Sequence, residues 1–203
     1  MQQSQALGIV SLVALAWALV SLAYLHIVPT GLSPVRNAVS QYGISAHKGG
    51  YRSATIAMGV AGAALAAALG RVLHGAGRAE VLALLAAFAA CRIAISWAPM
   101  DAPGAASTSK GAAHGVLAIV TFVSASLAAI RLCRVLEAGV PLHSLAALSR
   151  GLGWAMVVCI ALMFFARLSP ELRRVFGAVE RALYIVILGW LGVFAMACAT
   201  AHP

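Results

Sequence analysis

Acidic residues are scarce in this sequence: five Asp and Glu stand among 203 residues, against fourteen Lys and Arg. Charged residues make up 9% of the chain and hydrophobic residues 63%, with a mean hydropathy of +0.97. A single water-soluble core cannot hide that proportion of apolar side chains, so a soluble globular protein is excluded. Cysteine is also sparse. Cys91, Cys133, Cys159 and Cys198 lie singly in or at the edges of apolar runs with no Cys-x-x-Cys spacing, which argues against a disulfide framework or a zinc knuckle and for small core residues. There is no His-Glu-x-x-His and no serine in a nucleophile-elbow sequence. The first five residues carry no Lys or Arg, and the apolar run after them is longer than a signal-peptide core, so it is expected to remain as the first helix.

What is present is apolar sequence in long runs. A membrane span needs about 20 mostly apolar residues, and the chain divides into six such stretches. The expected spans are Ala6–Ile27, Ser53–Leu73, Ala79–Ala98, Lys110–Cys133, Leu145–Arg167 and Phe176–Thr200. The fold class is therefore all-α: one bundle of six transmembrane helices over residues 1–203, multi-pass in the cell membrane. Pro29 with Gly31 ends the first span and Pro99 the third. Arg71 to Arg78, with Gly75 and Gly77, reads as a tight hairpin. Gly59, Gly62, Ala63 and Ala66 recur at helical spacing, giving the second span a face that another helix can approach closely. The connection containing Arg134, Glu137, Pro141 and His143 reads as a solvated loop. The net charge of +9 would suggest nucleic acid in a soluble protein, but here the cations flank apolar runs. Membrane lipids are the expected partners, and nucleic acid is not.

Six antiparallel spans put the odd-numbered loops on one side, and the polar residues gather there. The first loop holds Arg36, Asn37, Ser40 and Tyr42, the last with its ring expected at headgroup depth. The third connection and its flanks hold Arg92, Asp101, Lys110 and His114, with Thr121 two turns beyond His114 on the same helix face. The start of the last span holds Glu180 and Arg181. Arg92 lies seven residues before Pro99, about 10 Å along a helix; it either snorkels to the interface or turns inward to pair with a carboxylate or hold an anionic headgroup. The one-sided clustering predicts a site lined by the third, fourth and sixth spans and roofed by the first loop. Lys and Arg number eight on the odd side and five on the even side, Arg92 aside. A plain positive-inside count would make the odd side cytoplasmic. Discounting the odd-side cations that belong to the site instead leaves both termini in the cytoplasm, the orientation taken here as the expectation.

Three segments carry a family resemblance: Ser33-Pro34-x-Arg36-Asn37-x-x-Ser40-x-Tyr42-Gly43; Pro99-x-Asp101 followed by Thr108-x-x-Gly111-x-x-His114; and Gly177-x-x-Glu180-Arg181. Together they resemble the prokaryotic membrane family catalogued as domain of unknown function 998, over nearly the whole chain. The resemblance implies a six-helix integral membrane protein whose activity is unassigned. Asn37 stands where that family often has an acid, and Met100 where threonine is common.

Four readings of the polar residues follow. In the leading one, the protein binds or transports a lipid or other anionic amphiphile: Arg92 and Arg181 hold the head, Asp101, His114 and Glu180 orient them, Asn37, Ser40 and Tyr42 close the site, and the small-residue faces accept the chain. In the second, His114 and Asp101 form the acid/base pair of a membrane-embedded hydrolase, or ligate its metal. In the third, Arg92, Asp101, His114, Glu180 and Arg181 form a purely structural network. Haem ligation by His26 and His114 is the fourth, less favoured reading. No metal or cofactor is expected.

Overall fold

The computed structural model describes residues 2–138 and 142–200. Its elements are α1 (Gln2–Ile27), a 3-10 turn (Val39–Ile44), α2 (Lys48–Val72), α3 (Arg78–Ala94) extended by a 3-10 turn (Ile95–Trp97), and α4 (Ser109–Glu137). A 3-10 turn (His143–Leu145) then leads into α5 (Ala146–Leu168), the short α6 (Pro170–Arg173) and α7 (Phe176–Thr200). Six of these segments are long and apolar enough to cross a membrane among the described residues. The chain is an all-α, multi-pass membrane protein.

The sixth expected span coincides with α7, whereas the others differ at their ends. α2 begins at Lys48, five residues before the expected Ser53, because Lys48, Gly49 and Gly50 already adopt helical geometry above the apolar stretch. α4 continues to Glu137, absorbing what reads as loop sequence. Glu137 and Glu80 are the acids of the two ion pairs found among the described residues, Arg150–Glu137 and Arg131–Glu80, both at 2.9 Å and exposed. Pro141, expected in that loop, lies outside the described residues, as do Met1 and residues 201–203.

Each long helix packs on its chain neighbour, and α7 closes the ring by packing on both α5 and α1. α2 is the most enclosed of the six and α5 the least. Small residues set the close approaches: a Cβ on Gly59 would meet Ile93 and the Ala89 carbonyl, and one on Gly62 would meet Phe88. Of the residues expected on that face, Ala63 is exposed, at the edge of the stripe farthest from the α3 contact made by Gly59 and Gly62. Hydroxyls link helices where no charge could sit: Ser11 donates to the Ala61 carbonyl, Ser149 to the Ala129 carbonyl, and the buried Trp190 indole to Ser149. The α2–α3 hairpin turns through Gly75 and Gly77, both with φ above +80°, a conformation that side chains with a Cβ rarely adopt.

Candidate functional site

The first turns of α7 receive the first loop. At a helix start, backbone N–H groups lack intrahelical partners; here the Ala178 N–H donates to the Val35 carbonyl at 3.0 Å. Gly177 makes this possible, since a Cβ there would collide with the Asn37 and Pro34 carbonyls. One turn on, Glu180 is buried, and its Oε2 accepts from the Val39 N–H at 2.7 Å. Arg181 spends its guanidinium on the same loop. Nη1 donates to the Asn37 and Gly177 carbonyls, Nη2 to the Tyr42 hydroxyl at 3.1 Å, and Nε to His26 Nε2 at 2.8 Å. Since a carbonyl can only accept, the His26 contact with the Leu22 carbonyl requires Nδ1–H and leaves Nε2 free to accept from Arg181.

The loop completes this clamp from its own side. Asn37 Oδ1 accepts from the Ser33 N–H, and its amide donates to Gln41 Oε1. An acid at position 37 could make the first bond but not the second. Tyr42 is 1% exposed. Its hydroxyl accepts from Arg181 and its ring packs edge-on to His26, so the ring is covered by protein. Ser40 is half-buried in the 3-10 turn, and no hydrogen bond links its hydroxyl to the clamp among the described residues.

A second polar module joins α3 to α4. Helix α3 stops before Pro99, leaving the Ala98 carbonyl outside the helix; His114 Nδ1–H donates to it at 2.7 Å. Asp101 instead accepts from the Thr108 N–H and hydroxyl, at 3.0 and 2.7 Å, while the Thr108 oxygen caps α4 by accepting from the Gly111 N–H. These two Thr108 donors hold the Asp101 carboxyl below the usual carboxylate range. Asp101 and His114 are therefore not hydrogen-bonded to each other, and the expected acid/base pair is not formed. His26 and His114 are likewise committed to separate partners. No group of three His, Cys, Asp or Glu that could hold a metal occurs among the described residues.

Arg92 belongs to neither module. It is 2% exposed, so it turns inward and does not snorkel. The expected carboxylate pairing is not made: Arg92 forms no ion pair among the described residues, although the buried Glu180, bound to the Val39 N–H, is near enough to interact with it electrostatically. Nη1 donates to the Tyr184 hydroxyl at 3.0 Å, Nη2 points at the Met58 sulfur at 2.7 Å, and Nε has no partner. The guanidinium carbon lies 5.0 Å from the Tyr184 ring centre, where the ring face offers some compensation for the charge. Thr121, fully buried on α4, also leaves its hydroxyl unpaired. Arg92 and Thr121 both line one crevice, formed with Met58, Phe88, Phe122, Tyr184 and Ile187 and too tight for a water molecule with the side chains so placed. The Phe122 and Tyr184 rings meet edge to face beside it.

The expected site thus separates into three. Glu180, Arg181, Asn37 and Tyr42 form the loop clamp; Asp101 and His114 tie α3 to α4 at separate points; Arg92 and Thr121 face the crevice. Sequence reasoning missed Tyr184 and Met58. Tyr184 was findable, since it stands four residues after Glu180 and so on the same face of α7. Met58 carries no such signal among its apolar neighbours.

A family model described as "Protein of unknown function (DUF998)" matches residues 12–197. No curated protein and no solved structure matches the chain.

Proposed function

The chain belongs to the DUF998 family, and we propose that it binds a lipid or other amphiphile with an anionic head, recognised by Arg92. The observation that carries this reading is a buried arginine with no direct ion pair among the described residues and an unpaired Nε, beside an unpaired Thr121 hydroxyl. An arginine within a membrane span is costly, up to roughly 2.5–3.5 kcal/mol at the helix centre and less toward its end, where Arg92 stands in the last turn of α3. Structural charges in such places are ordinarily paired, and a cation kept without an ion pair is suited to an anion that comes and goes. Thr121 and the Tyr184 hydroxyl add neutral hydrogen-bonding groups around it. Parting of the Phe122 and Tyr184 rings, with a new rotamer for the flexible Met58, would open the crevice. Arg181 is not part of this recognition, because all its nitrogens serve the loop clamp. The hydrolase reading loses its support with the Asp101–His114 pair unmade.

Stability and binding separate this reading from a structural one. Native mass spectrometry should find co-purifying anionic amphiphile on the wild type and about 10- to 100-fold less on Arg92→Gln, the equivalent of about 1.5–3 kcal/mol for a charge-assisted hydrogen bond. The ligand-stripped Arg92→Gln protein should melt no lower than stripped wild type, since Arg92 makes no ion pair for the change to break and Glu180 keeps its Val39 bond and the nearby Arg181. A lowered melting temperature with unchanged retention would refute the proposal.

A further inference from the structure

We propose a second, lipid-facing site: the groove between α1 and α2 holds one acyl chain of an anionic phospholipid from the bilayer, with its headgroup at Lys48 and Arg52. The groove has a volume of about 580 Å³, within the ~300–1,000 Å³ range of small-molecule sites. Ala14 and Ala57 form its floor, and Val13, Trp17, Ile56 and Val60 its walls. A partner helix is a poor occupant. Helices approach closely over small residues, whereas these walls stand out from the surface, with Val13 64% and Trp17 59% exposed. A flexible chain one methylene wide can lie between such walls.

The polar end of the groove sets the orientation of the lipid. Trp17 donates its indole N–H to Ser53 Oγ at 2.8 Å, and Ser21 Oγ donates to the same oxygen at 3.2 Å, fixing the Trp17 ring as a wall. Above this point the α2 wall becomes basic, because residues four apart share one ridge of a helix. Lys48, Arg52, Ile56 and Val60 form such a row: two exposed cations over two groove-lining apolar residues. Neither cation is in an ion pair among the described residues. Arg52 stacks on Trp97, its guanidinium carbon 4.5 Å from the ring centre. Its in-plane N–H groups make no hydrogen bond among the described residues, and a phosphate fits that planar edge. Charge above and an apolar channel below match the two halves of an anionic phospholipid.

The test is native mass spectrometry of the full chain equilibrated with equal amounts of dioleoyl phosphatidylglycerol and dioleoyl phosphatidylcholine. One phosphatidylglycerol should be retained in preference. Arg52→Gln should reduce that preference about fivefold, equivalent to the about 1 kcal/mol that one basic side chain contributes near an anionic surface. Ala14→Phe, which fills the floor, should remove this lipid whatever its head. Arg92→Gln should leave it in place, so failure here and failure of the Arg92 reading are distinguishable. Equal retention of the two lipids by wild type, an unchanged preference in Arg52→Gln, or a dimer mass in place of a lipid adduct would each overturn the proposal. Should Ala14→Phe not fold, the Arg52→Gln preference decides alone.

Discussion

Asp101 shows how a residue singled out by its charge can have a local job. Its carboxyl is held below the usual range by the two Thr108 donors. A carboxylate with a depressed folded pKa stabilises above its unfolded value, about 3.9, and that contribution is lost as pH falls through the lower folded value. Amide protection over residues 99–108, taken relative to the intrinsic exchange rate at each pH, should therefore persist at neutral pH and be lost only below about pH 4. Asp101→Asn should show low protection at both, since an amide cannot accept equally from both donors. Two glycines permit the modules to close. A Cβ at Gly177 would strike the Asn37 carbonyl, and one at Gly111 the Asp101 carboxylate. Gly177→Ala and Gly111→Ala should each cost about 1–3 kcal/mol, the usual penalty of overpacking, read as lower melting temperatures in detergent. Neither should change the amphiphile retention assigned to Arg92.

Among the elements, α7 and the first loop form a unit that sequence order hides. Glu180 and Arg181 are 141 and 139 positions from the loop residues they hold, Val39 and Tyr42. Arg181→Gln should leave the six spans intact yet speed exchange at residues 37–42, with lipid retention at Arg92 unchanged; slower retention-linked loss there would join the two modules again. The spans were legible because composition and proline positions fix where apolar runs begin and end. That polar residues gather at one end of the bundle was also legible, from the alternation of loops. Their pairing was not. Glu180 has Arg92 and Arg181 as candidate partners in the sequence, yet its hydrogen bond goes to a backbone N–H of the first loop. Helical spacing reports which face a residue occupies, and it is silent on which partner a neighbouring helix presents.

For the whole molecule, the structure bears on orientation. The expectation that both termini are cytoplasmic required several odd-side cations to be consumed by a site, leaving the even side richer. Of the eight, only Arg181 is drawn into the polar cluster. Arg36, Lys48, Arg52, Lys110, Arg167, Arg173 and Arg174 are all exposed, leaving seven against the five even-side cations. On the even side, Arg131 and Arg150 are paired with Glu80 and Glu137, although acidic residues contribute little to the rule. The positive-inside count therefore favours odd-numbered loops in the cytoplasm and the described ends of α1 and α7, Gln2 and Thr200, on the opposite face. The same orientation would put Lys48 and Arg52 in the anionic cytoplasmic leaflet, where a headgroup of the proposed charge is available. Single cysteines placed by Ala105→Cys and His74→Cys, in a chain with its four native cysteines replaced by serine or alanine, test this in intact cells. A membrane-impermeant maleimide should label position 74 and spare position 105 until the cells are opened. The reverse pattern would return the termini to the cytoplasm and move the basic ridge to the outer leaflet, leaving the groove's chemistry intact but changing which leaflet supplies its lipid.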